Sequence, residues 1–164
     1  MSKKIRSYEE LLKLKNYAIE TFGKYKYIVQ LCGGAGCISS DSLAIKEALE
    51  KELKLNGLEN SVLVNFTGCI GTCAIGPVMI VEPDGVFYTK LEVSDIPKIV
   101  KSHFVSGLMV IEKTYYDKKK KKFIPYIKDI DFFKKQLKIV LRNCGRIDYS
   151  SILQYIMNDG YFAI

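Results

Sequence analysis

The sequence predicts an α/β fold: a β-α-β-loop-β-β-α unit over residues 25–107, with one helix before it and a hairpin and a further helix after it. Three observations predict this. Stretches of helical spacing alternate with stretches of strand-like spacing. Breaks at Gly23, Asn56-Gly57, Pro83-Asp84-Gly85 and Gly107 separate them. A strand-helix-strand crossover followed by a strand-turn-strand hairpin builds one mixed sheet with helices packed against it.

The first helix is expected over residues 7–22. Ser7-Tyr-Glu-Glu10 reads as a capping box, and Leu11, Leu14, Ala18 and Phe22 share one face. Tyr25 to Leu31 is aromatic and β-branched, and so a strand. Cys32-Gly-Gly-Ala-Gly-Cys37 follows as a loop, and Ser39, Ser40, Asp41 or Ser42 caps a helix whose inner face is Ile45, Ala48, Leu49 and Leu53. Val62 to Thr67 is the second strand. Gly68 to Gly76 is too rich in glycine for a helix. Val78 to Glu82 and Val86 to Lys90 form a hairpin around Pro83-Asp84-Gly85. Ser94 or Asp95 caps a helix that buries Ile96, Ile99, Val100 and Phe104. Beyond Gly107, Leu108 to Tyr116 and Phe123 to Ile127 flank a tip of five lysines, Lys118 to Lys122, which reads as a solvated hairpin tip or a contact for an acidic partner. Phe132 to Leu141 mixes apolar residues with lysine, and Asp148 is placed to cap a last helix carrying Ile152, Tyr155 and Ile156.

The 164 residues are 48% apolar, enough for a core in one domain with appendages. No apolar run reaches the roughly 18 residues of a membrane helix, so no direct membrane insertion is expected. The basic start is not followed by the apolar core of a signal peptide, which favours a cytoplasmic chain with reduced cysteines. The net charge of +7 comes from 25 basic residues, of which only Arg6, Arg142 and Arg146 are arginine. That composition speaks against a nucleic-acid reader, which leans on arginine for bidentate contacts.

Four of the five cysteines form two close pairs, Cys32 with Cys37 and Cys69 with Cys73, each at a strand end on the same side of the predicted sheet. A 2Fe–2S cluster needs four thiolates, two to each iron. Gly33, Gly34, Gly36, Gly68, Gly71 and Gly76 leave room for backbone to wrap it and point N–H groups at sulfur. Its formal charge of about −2 would leave the loaded chain near +5. Structural zinc is the alternative, with the pairs serving an interaction domain, although zinc favours tight knuckles at matched spacing. A dithiol–disulfide site would prefer C-x-x-C, which is absent. Four merely structural cysteines would sit more naturally within helices and strands. His103, the one histidine, rules out a Rieske centre and is expected at the edge of its helix. Cys144 is expected to be structural.

With the cysteines placed, the chain resembles the thioredoxin-like 2Fe–2S ferredoxins, on C-x4-C together with Gly68-Cys69-Ile-Gly-Thr-Cys73-Ala-Ile-Gly-Pro77. The resemblance implies a thioredoxin-like fold, one-electron transfer, and ligation of the cluster by Cys32, Cys37, Cys69 and Cys73. Pro77 falls where thioredoxins often carry a cis-proline, but the ordinary preference of X–Pro bonds makes trans the expectation. Phe123-Ile-Pro125, Asp131-Phe-Phe-Lys-Lys-Gln136, Lys138-Ile-Val-Leu-Arg-Asn-Cys-Gly145 and Ile147-Asp148 resemble the joint in flavoprotein subunits of NADH dehydrogenases and iron-only hydrogenases. There a ferredoxin domain precedes an FMN- and NADH-binding domain.

This second resemblance implies four regions: an N-terminal helix over 1–24, the ferredoxin domain over 25–107, a hairpin linker over 108–128, and the start of a truncated flavoprotein domain over 129–164. It implies partners among other iron–sulfur and flavoprotein subunits. The unpartnered apolar residues Phe132, Phe133, Ile139, Val140 and Leu141 also make a homodimer or a mobile tail an expectation. FMN and NADH are expected only in the full-length parent subunit. Gly33-Gly-Ala-Gly36 echoes a flavin loop, but its bracketing cysteines suit iron and no G-x-G-x-x-G is present.

Overall fold

The computed structural model describes residues 4–163. Its centre is a four-stranded sheet in the order β2-β1-β3-β4, built from β1 (Tyr27–Cys32), β2 (Val62–Thr67), β3 (Met79–Glu82) and β4 (Val86–Tyr88). β1 and β2 run parallel, with Tyr27 opposite Val62 and Cys32 opposite Thr67. β3 runs antiparallel to both β1 and β4. The predicted mixed sheet is therefore present. The helix that makes the parallel crossover, α3 (Ser42–Leu55), begins after Asp41 and ends at Asn56. Asp41 has a left-handed backbone and its side chain makes no capping bond, so the cap expected there is one of position only.

Both faces of the sheet are covered, which explains the near-continuous apolar strands. Val29, Leu31, Met79, Val81, Val86 and Tyr88 face α3 and the helix after β4, where they meet Ile45, Leu49, Leu53, Ile96, Ile99 and Phe104. Alternate residues point the other way. Cys32, Val78, Ile80 and Phe87 form a second core with Ile70, Ile124 and Ile130. Much of that second cover comes from beyond residue 107, where β5 (Tyr115–Asp117) and β6 (Lys122–Ile124) form the expected hairpin around the lysine tip. The segment around it bonds to the outer edge of β4: the Phe87 amide donates to Pro125 and the Ile127 amide to Gly85. A row of otherwise unpaired edge groups is thereby closed.

Several local expectations change. Cys32–Cys37 is not all loop: α2 (Ala35–Ile38) is one helical turn entered from extended Gly34. The helix after β4 is capped by Glu92 and Asp95 across a 3-10 turn, runs as α4 (Ile96–Ile99), and then widens into π-helical turns over Val100–Val105. Gly76–Pro77 is cis, against the trans expectation, and so is Glu82–Pro83. Phe132 to Leu141 contributes only the short α5 (Asp131–Lys134).

The last helix, α6 (Ile152–Met157), is capped by Ser151 rather than by Asp148. Asp148 instead accepts the Phe66 amide at 3.1 Å, next to the last residue of β2. A buried amide network completes that joint. Gln154 donates to Asn65 at 2.7 Å, Asn65 to Gln30 at 3.2 Å, and Gln30 to the Arg146 carbonyl at 2.8 Å. α6 also packs on α1 (Tyr8–Gly23), and the residues just after it add Lys15–Asp159 at 2.5 Å and an edge contact of Tyr8 with Phe162. Ser7 caps α1 as expected by accepting the Glu10 amide, while Glu10 reaches back to Arg6 rather than to Ser7.

His103 is buried, not at the helix edge. Its Nδ1 lies 2.8 Å from the Tyr88 hydroxyl, which also accepts the Val110 amide at 3.2 Å. Burial lowers the His103 pKa below its ordinary 6.5, with Asp84 opposing, and burial pushes the Tyr88 hydroxyl up to about 12. Below pH 6.5 the unfolded chain takes a proton that folded His103 resists, so stability falls on acidification through the depressed value. Above pH 10 the unfolded tyrosine loses a proton that folded Tyr88 keeps, so stability falls again up to about pH 12. His103→Gln, which keeps an acceptor for Tyr88, should flatten the slope of melting temperature with pH between 6.5 and 5. An unchanged slope would refute this origin.

Candidate metal centre

The four paired cysteines converge at one end of the sheet, where β1, β2 and β3 hold their loops. Cys32 is the last residue of β1, and its amide donates to Val78. The Gly33 amide donates to Thr67 at 2.8 Å, which ties the start of this loop to the end of β2. Cys37 is carried on α2 and is 1% exposed, while Cys32 is 2% exposed. On the other side, Cys69 lies in the loop after β2 and Cys73 opens a 3-10 turn over Cys73–Ile75. Both of these are exposed.

The Cys37 thiol neighbours Cys32 and Cys73, and the Cys69 thiol also neighbours Cys32 and Cys73. The four sulfurs therefore lie within electrostatic reach of one another as one group. Burial, reinforced by Cys32, pushes the Cys37 thiol up to about 12, against an opposing hydrogen bond from Val78. Cys69 is open to solvent at the residue level, yet loss of hydration among the loop atoms is the chief cause that raises its thiol. A bond from Gly71 works against that rise, and Cys32 and Cys73 add to it. Among the described residues no three cysteine, histidine or acidic side chains are gathered closely enough to hold one metal ion.

The donor set and its surroundings fit a cluster of two irons. Four thiols stand as two pairs, and two backbone N–H groups already address sulfur. Bare backbone packs against the thiols: a Cβ on Gly76 would stand 2.9 Å from the Cys37 Sγ, one on Gly34 3.2 Å from the Cys69 Sγ, and one on Gly36 3.4 Å from the Cys73 Sγ. Gly76 and Gly34 are crowded by space rather than by backbone angle, while a Cβ at Gly36 would make an ordinary contact. Cys144, expected to be merely structural, is half-buried beside Gly68, where a Cβ would lie 3.6 Å from its Sγ. Sequence spacing gave no hint of that approach, because 75 residues separate Cys69 from Cys144.

Fold and site together define a small domain on a thioredoxin-like scaffold, with four cysteines brought to one end of its sheet. The family profile described as thioredoxin-like 2Fe-2S ferredoxin matches residues 15–103. A 2Fe-2S ferredoxin of Clostridium pasteurianum is 40% identical over 74 residues, which are 45% of this chain and 72% of that protein. One from Aquifex aeolicus (strain VF5) is 31% identical over 72 residues, covering 43% and 65%. The crystal structure of the wild-type thioredoxin-like 2Fe-2S ferredoxin from Aquifex aeolicus superposes with a TM-score of 0.52 at 25% identity, over 57% of this chain and 99% of that one. The chain belongs to the thioredoxin-like 2Fe-2S ferredoxin family, whose cofactor is a 2Fe–2S cluster.

Proposed function

We propose that Cys32, Cys37, Cys69 and Cys73 hold the 2Fe–2S cluster and that the chain serves one-electron transfer. We further propose that it works as the ferredoxin-like module of an NADH dehydrogenase or an NAD(P)-linked iron-only hydrogenase complex. The observation that carries the ligand assignment is the group of four thiols at one end of the sheet, three of them approached by glycine backbone. Bound there, the cluster supplies a one-electron redox couple. The residues divide the remaining work. Cys32 and Cys37 anchor the buried side, and the second apolar core beside them keeps water away. The Val78 and Gly71 amides favour the charged form of Cys37 and Cys69, and so steady thiolate charge. Cys69 and Cys73 form the solvent side, where a donor or acceptor gains access.

The parent complex is supported by the joint motif around Asp131–Gln136 and Lys138–Gly145. In that setting the exchange partners are iron–sulfur and flavoprotein subunits, and the compartment is the cytoplasm. Among the described residues no helix is long and apolar enough to cross a membrane. Anaerobic purification followed by visible absorption, EPR of the reduced form and metal analysis tests the reading. A brown protein with about two irons and two sulfides per chain is expected. A colourless protein with one zinc would overturn it in favour of a structural interaction domain. NADH alone should not bleach the colour. Bleaching by NADH, with no flavoprotein added, would refute the division of labour with a flavin domain.

A further inference from the structure

The segment after residue 126 and the second face of the sheet enclose an open cleft of about 600 Å³. Ile70, Ile80 and Phe133 give it an apolar floor. Lys128, Lys134, Lys138, Arg142 and Arg146 line it, against one carboxylate, Glu82. Among the described residues none of these five cations is in an ion pair. Leu137 lines the same cleft at 87% exposure, and nearby Val140 is 93% exposed. The cleft adjoins the cysteine loop through its floor: Ile70 follows Cys69 in the chain, and it packs where Gly145 lacks a side chain, since a Cβ there would stand 3.1 Å away.

We propose that this cleft docks an acidic redox-partner protein, whose carboxylates meet Lys134, Lys138 and Arg142 and whose redox centre is thereby held over the exposed Cys69–Cys73 loop. The proposal rests on the cluster reading above. Charge complementarity selects the occupant. A second loaded copy of this chain would bring the same five cations and the same net charge, near +5 from the polypeptide's +7 and the cluster's about −2, and would be repelled. An anionic lipid surface is flat, whereas the site is concave and adjoins the loop through which electrons leave. An acidic protein satisfies both the charge and the shape, and opposite charge raises encounter rates by about ten- to a thousandfold.

The test uses the loaded chain with an acidic blue-copper protein, plastocyanin, as probe. One electron leaves the chemically reduced chain and takes the probe's copper from Cu(II) to Cu(I), with no proton moved, and the loss of blue colour reports the rate. Titration calorimetry with both proteins oxidised reports binding independently. The triple variant Lys134→Glu, Lys138→Glu, Arg142→Glu is compared with Lys118→Glu, Lys119→Glu, Lys121→Glu at the hairpin tip, which changes the net charge equally. At low salt the cleft variant should slow transfer at least about tenfold and abolish the heat of binding, while the tip variant stays within about twofold. Equal slowing by both would make net charge the cause and overturn the proposal. So would unchanged transfer by the cleft variant alongside its lost binding to phosphatidylglycerol vesicles, or alongside its lost self-association in light scattering. A wild-type chain with no visible chromophore would sink the cluster reading and this proposal with it. A normal chromophore with no difference between the variants would sink this proposal alone.

Discussion

Replacing Cys37 by alanine is expected to take the iron content from about two atoms per chain to less than about half an atom, with loss of the visible absorption. The reason is positional. Cys37 is almost fully buried, neighbours both Cys32 and Cys73, and receives the Val78 amide. Without it, three thiols remain for two irons, and the void opens inside the second core rather than towards water. Water or hydroxide therefore has poor access as a substitute ligand. Cys144→Ala, by contrast, should keep about two irons, because that thiol sits beside Gly68 and is not among the neighbours that shift Cys37 and Cys69. Iron and sulfide analysis on both variants, purified side by side without oxygen, decides the matter. Full iron in Cys37→Ala, or loss of iron in Cys144→Ala, would reassign the ligands.

Ending the chain at residue 107 should have an effect of similar size, this time on folding. The segment beyond it covers Ile80 and Phe87 and closes the β4 edge through Pro125 and the Ile127 amide. Uncovering Ile80 and Phe87 would forfeit roughly 1.5–3 kcal/mol for each side chain, or about 3–6 kcal/mol together. That is a large share of the whole stability of a typical domain, about 5–15 kcal/mol. The shortened chain should precipitate, or associate through the bared edge. Sedimentation and near-ultraviolet circular dichroism would show this. A monomeric, cooperatively melting product would mean that the cover adds little.

The two predictions rest on features that differ in how far the sequence discloses them. The candidate ligands proposed above stand out in the sequence because two close cysteine pairs at strand ends are a chemical pattern, independent of packing. The inner faces of α3 and α4 are legible because Ile45, Leu49, Leu53, Ile96 and Ile99 keep helical spacing. α2 is not, because glycine at 33, 34 and 36 lowers helix propensity, and tertiary packing around Cys37 overrides it. The docking of residues 144–156 is hidden for a different reason. Gln30, Asn65 and Gln154 read as surface residues one at a time, and their burial is tolerable only once each amide has found the others. His103 follows the same rule: its burial depends on Tyr88, fifteen residues earlier. The basic cleft collects side chains from residue 128 to residue 146 around a floor of Ile70, Ile80 and Phe133, so no single window of sequence contains it.

The parallel pairing of β1 with β2 also sets an order of events in time. Tyr27 meets Val62 only after about 35 residues of chain, including α3, have been brought round. Such non-local pairing is slow compared with forming the helix itself. Until it is complete, the Cys32–Cys37 and Cys69–Cys73 loops have no fixed relation, and neither pair alone is a site. On the proposed ligand set, cluster insertion would follow sheet formation, in contrast to a zinc knuckle that condenses around its ion, and the two dithiols of a newly made chain would stay open to oxidation until then.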